Sequence, residues 1–487
     1  MTTGSATLDP TFLMALASVR PEEWSAWFSE PFDERVNGAS THRTLAAIFP
    51  MPAAGGHAAI CVFERPSPDA GTHLAQAALR RWAGNAPAGT QVLHTELASD
   101  GSANWTLGSA WSDPDLRAWL REALTAGAAL RTEGWEWIAA PESPAAGRSV
   151  VGPSHQITAR RHDAVRFGAG AIGIVYRQLA RGGQPELELL RHLERVPGLN
   201  LAPSLLGSAI IIAPNGQRSA SAILQTTEAD ADSARAMLVE RLQQALGNEP
   251  SLTAAALDDV RAAGLITREL HAALARPFEQ GVVAGAAPAT LTEFESWAAR
   301  VWDVLGTAAR AARRHGAVSA DPTLGETLDL LPGKLQQFVI AAQISRGLAH
   351  RIHGSLSLDT LILSPSRRPR VMQFDGDPEL PDAERMGPQS PWRDAACMLV
   401  SIAQLAAEAA AASGGSDATV EAAWQWEREA RKAYLEGYGT GGGVPHALIA
   451  MFELEFAARA LRDSTSNDAV ARAVAAHTLH RLTRTIV

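Results

Sequence analysis

The chain reads as an α+β protein in three parts, and three observations say so. Short β-rich runs broken by Gly and Pro fill the first half, amphipathic helical periodicity fills most of the second, and one strand pair interrupts the helices near residue 365. With 487 residues, 46% of them apolar, there is material for two or three domains with sizeable cores.

Residues 1–104 combine strand-like runs (THRTLAAIF, AAICVFE) with an expected helix over GTHLAQAALRRWAGN, which suggests a small α/β cap. Residues 105–227 hold a helix (DPDLRAWLREAL), strands ending in AVRFGAGAIGIVYRQLA, a helix over PELELLRHLE, and a hairpin. In that hairpin two β-rich runs flank Pro214-Asn215-Gly216, a sequence that favours tight reversal. Residues 228–487 are mostly helical, with segments expected at 234–246, 254–275, 291–315, 332–350, 391–412, 418–438 and 445–461. The exception is SLDTLILSPSRRPRVMQFD, a second hairpin with Leu361, Ile362 and Leu363 on one arm and Val371, Met372 and Phe374 on the other.

Composition excludes several function classes. A net charge of -9 without a long basic run does not suit nucleic acid. The start MTTGSATLDP lacks a basic, apolar leader pattern, and the apolar run Ala395–Ala407 is short for a bilayer, so a cytoplasmic protein without membrane contact is expected. Two cysteines, Cys61 and Cys397, in apolar surroundings read as buried thiols of a reducing compartment. The cations are almost all arginine: the only lysines are Lys334 and Lys432.

One stretch carries chemistry. HRIHGSLSLDT, residues 350–360, is followed by the hairpin, then QFDGDP and ELPDAERMGPQSPWRDAACML. Together with GSAWSDPDLRAWL, PELELLRHL, TEADADSARAMLVERL, GLITRELHAALA, YLEGY and FELEFAARA, these segments resemble, in order and spacing, landmarks of the aminoglycoside-phosphotransferase-like kinases. The nearer resemblance is to the maltokinases and the actinobacterial glucosamine kinases, and it covers about Trp105 to Leu461. It implies a bilobal kinase-like fold: an N-terminal cap, a β-rich lobe and a helical C-terminal lobe.

The same resemblance implies where phosphoryl transfer would need its groups: a base in the loop, oxygen ligands for Mg²⁺, and a cation in the β-rich lobe to hold the phosphates of ATP. The base position is Ser355, whose hydroxyl cannot accept a proton at neutral pH as a carboxylate can. The two metal-ligand positions are Thr360 and Gln373, neither carrying charge. The lysine position is Ile174, and no lysine precedes Lys334; Arg177 keeps a positive charge three residues on, and the helix glutamate paired with the lysine corresponds to Glu188. The expectation is a pseudokinase in bacterial sugar metabolism that binds a sugar or aminosugar, or a protein partner. The alternative is a divergent sugar phosphotransferase, using ATP and Mg²⁺, in which Asp359, Asp375 or Asp377 has taken over the base or metal role. Asp375 and Asp377 share a face if their segment is extended.

Other residues have a structural reading beside a functional one. Gly168-Ala-Gly170-Ala-Ile-Gly173 matches a nucleotide-loop pattern but lies between two strands, which favours a plain turn. His353 is expected to buttress its loop, and His271 to pack in the core. Arg393 and Asp394 form a structural pair or cap, or touch a ligand. Trp424, Trp426 and Tyr438 belong to the core or line a sugar site. Glu453 and Glu455 form ion pairs or meet sugar hydroxyls.

Overall fold

The computed structural model describes residues 7–28, 44–67, 71–144, 150, 152–158, 162–180, 183–227, 233–247, 251–277, 285–344, 346–364, 367–439, 445–464 and 469–485. The chain divides into two compact units, Met1–Glu194 with Pro203–Asp230, and Arg195–Ala202 with Ala231–Val487.

The first unit is built on two antiparallel sheets. One runs in the order Thr44–Pro50, Ala58–Ser67, Gly71–Ala83, Ala103–Ser109, Val92–Leu97, with the short strand Gln178–Leu179 added to Gly71–Ala83. The other runs Ala128–Thr132, Trp135–Pro141, Leu205–Ile212, Arg218–Thr226, Ala171–Tyr176, His162–Phe167, Ser154–Thr158. The helix Pro114–Ala126, capped by Asp113, packs on this second sheet.

One secondary-structure expectation fails here. The segment 71–83 is a strand, not a helix: Leu74 to Leu79 are all buried at the middle of the first sheet, so alternation is erased and an alanine-rich strand mimics a helix. The 104/105 boundary falls inside the strand Ala103–Ser109, which belongs to the first sheet. The turn at Pro214-Asn215-Gly216 forms as expected, with Gly216 at φ +80° and Gln217 N–H donating to Asn215 Oδ1 at 2.9 Å. The Gly168 region is a turn between the paired strands His162–Phe167 and Ala171–Tyr176.

The second unit is helical: Ala234–Gly247, Ser251–Leu274, Leu291–Arg314, Pro322–Ile344, Pro391–Ala412, Asp417–Tyr438, His446–Asp463 and Ala469–Arg484 are its long helices among the described residues. Pro322–Ile344 starts ten residues before the expected Pro332, which lies inside it, and Ala469–Arg484 was not foreseen. Pro391–Ala412 is long and apolar enough to cross a membrane, but it is mostly buried, packed against four other helices. A hairpin is present as Leu361–Ser364 paired with Arg367–Val371, but its second arm ends at Val371, so Met372 and Phe374, expected on that arm, lie beyond it.

Candidate functional site

The loop His350–Thr360 runs from the short strand Leu348–Ala349 to the hairpin. Its side chains alternate: Leu356, Leu358 and Thr360 are buried, Ser355 and Ser357 are half-buried, and Asp359 is exposed. Burial of the leucines holds the loop down, and the alternation leaves the other positions facing outward.

Asp394, near the start of Pro391–Ala412 and fully buried, holds the loop backbone. It accepts the N–H of His353 at Oδ2 and of Gly354 at Oδ1, both at 2.8 Å, and His271 Nε2 donates to Oδ2 at 3.2 Å. His271 in turn accepts the Tyr438 hydroxyl at Nδ1, 2.9 Å away. Burial alone would raise the Asp394 carboxyl, but these donors hold it below the ordinary carboxylate range. Burial depresses His353, which stays neutral; Nε2 donates to Met372 O at 2.9 Å, and Nδ1 accepts the Ser355 N–H at 3.4 Å. Its role is to buttress. Burial and the neighbouring His271 lower His350 to about 4.

Thr360 is likewise consumed locally. Its hydroxyl donates to Ser357 O at 2.9 Å and accepts Ser357 N–H at 3.0 Å, closing the loop end rather than facing a ligand.

The stretch 373–377 lies against this loop, because Gly354 and Gly376 approach so closely that a Cβ on Gly354 would sit 3.0 Å from the Gly376 Cα. It is not extended. Gln373 has φ +63° and Gly376 +77°, so Asp375 and Asp377 do not share a strand face. Asp377 is buried and accepts from Arg393 Nη2 and from Arg459 Nη1 at 2.5 Å; burial opposes its charge, but the two guanidiniums hold it well below the usual range. Asp359 instead faces Arg235, 3.6 Å away. The three acids therefore do not gather: among the described residues no group of three His, Cys, Asp or Glu side chains is placed to hold a metal ion. Gln373 is exposed and Asp375 half-buried, and neither is part of such a group.

Arg393, expected near substrate, is fully buried. It donates to Glu455 through Nε (3.2 Å) and Nη2 (2.9 Å), and to Gly354 O through Nη1 (3.2 Å). Glu455 also takes Arg300 at 3.1 Å and Arg459 at 2.6 Å. Burial raises its carboxyl, but the three arginines overcome this and bring it to about 2. Glu453 is buried as well, paired with Arg431 and Arg481. These are interior ion pairs, and Asp377, Arg393 and Asp394 are all engaged inside the protein by this framework. Trp424 and Trp426 also leave the site: Trp424 stacks on His477 at 3.7 Å, and Trp426 is buried. Tyr438 instead packs beside Trp392, 5.0 Å between ring centroids.

In the first unit, Ile174 is buried in its strand opposite Ala164 and Ile223. Arg177 does not replace a phosphate-holding lysine. It donates to Asp163 (2.7 Å) and Gln91 (2.6 Å), and its guanidinium lies over the Trp27 ring. Glu188 is half-buried, whereas Glu186 is the carboxylate turned inward, taking the Tyr176 hydroxyl at 3.1 Å and Gln225 Nε2 at 3.3 Å. Helical spacing could have found it, since Glu186, Leu189, Leu190 and Leu193 fall on one face and Glu188 does not.

A β-rich unit and a helical unit, the latter carrying a loop pinned from beneath by a buried aspartate, define the bilobal kinase-like α+β fold. No family model matches the sequence. Solved structures do: a glucosamine kinase in complex with glucosamine, ADP and inorganic phosphate has a TM-score of 0.64 at 19% identity, covering 99% of this chain and 100% of that one. Crystal forms A and B of glucosamine kinase both give 0.62 at 19% identity; form A covers 90% of this chain and 91% of that chain, form B 94% and 98%. The fold is therefore that of glucosamine kinase over essentially its whole length.

Proposed function

We propose that this chain is a pseudokinase: a protein with the glucosamine-kinase fold that binds a sugar or aminosugar and does not transfer phosphate to it. The observation that carries the reading is the loop at Ser355. Its backbone is anchored with full rigor by Asp394 and His353, yet the side chain displayed is a hydroxyl, and two of the three nearby acids are occupied by arginines. A loop kept in shape while its base is missing fits selection for binding. The buried Ile174 and the Asp163-engaged Arg177 support the same reading, since neither offers a free cation for a phosphate. The ligand class follows from the likeness to a glucosamine kinase that holds glucosamine.

The test is a thermal-shift titration of the whole chain with ATP, with and without Mg²⁺, alongside a phosphate-transfer assay on glucosamine, glucose and maltose. The expected result is no magnesium-dependent shift at millimolar ATP and no transfer. Metal-dependent turnover near the 1–100 s⁻¹ order usual for kinases would overturn the reading.

A second reading rests on Asp375. It is half-buried, and its charge acts on the His353 ring of the loop. If transfer is observed and Asp375→Asn abolishes it, the chain is a divergent phosphotransferase.

A further inference from the structure

The helix Pro322–Ile344 is apolar on two opposite sides. One side sends Leu324, Leu328, Leu331, Leu335, Phe338 and Ala342 into the core of the helical unit. The other carries Leu330, Ile340 and Ile344, which are 60%, 58% and 88% exposed; Ile344 is the most exposed large apolar side chain among the described residues. A helix with one face in water normally turns charge toward it. Here the exposed positions from Leu330 to Ile344 carry none: Lys334, the one charged residue of that stretch, is half-buried and donates to Thr485 O at 3.2 Å.

The exposed face also has a period. Leu330, Gly333, Gln337, Ile340 and Ile344 follow one another by three, four, three and four residues, the repeat that keeps a seam facing a second helix. A single polar residue in such a seam fixes its register, and Gln337 stands at the midpoint. Gly333 supplies a hole, because a Cβ there would meet nothing within 4 Å.

We propose that this seam is an interface with a second copy of the chain, the two Pro322–Ile344 helices lying antiparallel about a two-fold axis at Gln337. Gln337 then meets its own counterpart, and two carboxamides can each donate to the other. Leu330 of one copy meets Ile344 of the other, since both lie seven residues from Gln337, and Ile340 covers Gly333. Charge selects this direction. Glu326 and Asp329 are exposed before the seam and Arg346 follows it; Asp329 faces Arg313 at 2.7 Å, yet its side chain stays 73% exposed. Antiparallel pairing sets the acids of each copy beside Arg346 of the other, whereas parallel pairing would set Glu326 on Glu326 and Arg346 on Arg346. The seam covers only about 21 Å of helix, so the dimer is expected to form in the micromolar range.

Sedimentation velocity of the full chain, loaded from about 1 to about 100 μM, tests this. The mass is expected to rise from 51.5 kDa toward twice that value. Ile344→Asp, at a side chain that the fold does not bury, is expected to weaken dimerisation at least about tenfold and to leave the melting temperature of the dilute chain unchanged. Leu330→Cys mixed with Ile344→Cys is expected to give a mixed disulfide under mild oxidation, and neither variant alone a disulfide dimer. A chain that stays at 51.5 kDa throughout overturns the proposal, whether the face then serves a different protein or stays bare. Undiminished dimerisation of Ile344→Asp would place the interface on another face, and a disulfide dimer of Leu330→Cys alone would overturn the antiparallel register.

Discussion

Gly354 donates its backbone N–H at 2.8 Å to Asp394, a fully buried carboxylate forty residues further along the chain. Asp394 thereby ties the loop to the helix Pro391–Ala412, and His353 and His271 complete its set of donors. Asp394→Ala should leave two buried N–H groups without acceptors and lower stability by roughly 3 kcal/mol or more. Asp394→Asn, keeping one oxygen, should cost less. Urea unfolding midpoints of the two variants check the order; a midpoint for Asp394→Ala equal to the parent's would show that the loop does not depend on this carboxylate.

Acid should undo the arginine cluster. Glu455 titrates near 2 in the folded chain against an ordinary 4.5, so it binds its proton more readily when unfolded. A depressed carboxylate stabilises fully above its unfolded value and loses that contribution as pH falls toward the folded one. The melting temperature should therefore drop between about pH 4.5 and 2, with Asp377 pulling in the same direction. Glu455→Gln removes the anion common to Arg393, Arg300 and Arg459, so it should destabilise at pH 7 by about 3–5 kcal/mol and flatten the acid limb. A melting profile with the parent's slope in that variant would place the acid sensitivity elsewhere.

The helices Ser251–Leu274 and Asp417–Tyr438 approach at two glycines. A Cβ on Gly264 would come 2.1 Å from Tyr434 O, and one on Gly437 would come 2.0 Å from Arg261 O. Both obstacles are backbone, so the helices must separate. Gly264→Ala and Gly437→Ala should each destabilise by about 1–3 kcal/mol or more, although alanine is the better helix former. Thermal unfolding decides it, because a gain in melting temperature for either would contradict the close approach.

Cysteine chemistry gives a rapid check on the first sheet. Cys61 is fully buried, and burial pushes its thiol up to about 12. At pH 8 only about one molecule in ten thousand carries the thiolate there. Iodoacetamide should leave Cys61 unmodified in the native chain and alkylate it in 6 M guanidinium, as peptide mass spectrometry would read. Modification of the native chain at the denatured rate would mean that the sheet around Cys61 opens.

Much of the helical half was legible because long amphipathic segments keep their period: Pro391–Ala412 appears at the residues its pattern indicates, and Asp417–Tyr438 within one. The loop and hairpin were legible for a different reason, their ordered landmarks. The strand Gly71–Ala83 was not, because a strand covered on both faces shows no alternation. At the site, Ser355, Thr360 and Gln373 could be named from their places in the motif, but nothing local said that Thr360 folds back on Ser357 or that Gln373 sits in a left-handed backbone. On the helix Pro185–Glu194 the period turns Glu186 inward and leaves Glu188 half-buried, which motif spacing alone does not reveal.

What the sequence determined by itself is what no folding can supply: no lysine before residue 334, and a hydroxyl rather than a carboxylate at 355. Side-chain chemistry is a property of the residue, so its loss can be read without coordinates. The fate of the remaining charges was decided only by the tertiary structure. Asp377 meets Arg459 across 82 residues and Arg393 meets Glu455 across 62, and whether a carboxylate faces water or a guanidinium depends on such long-range packing. That packing spent Asp377 and Glu455 on holding the helices together and left Gln373 exposed.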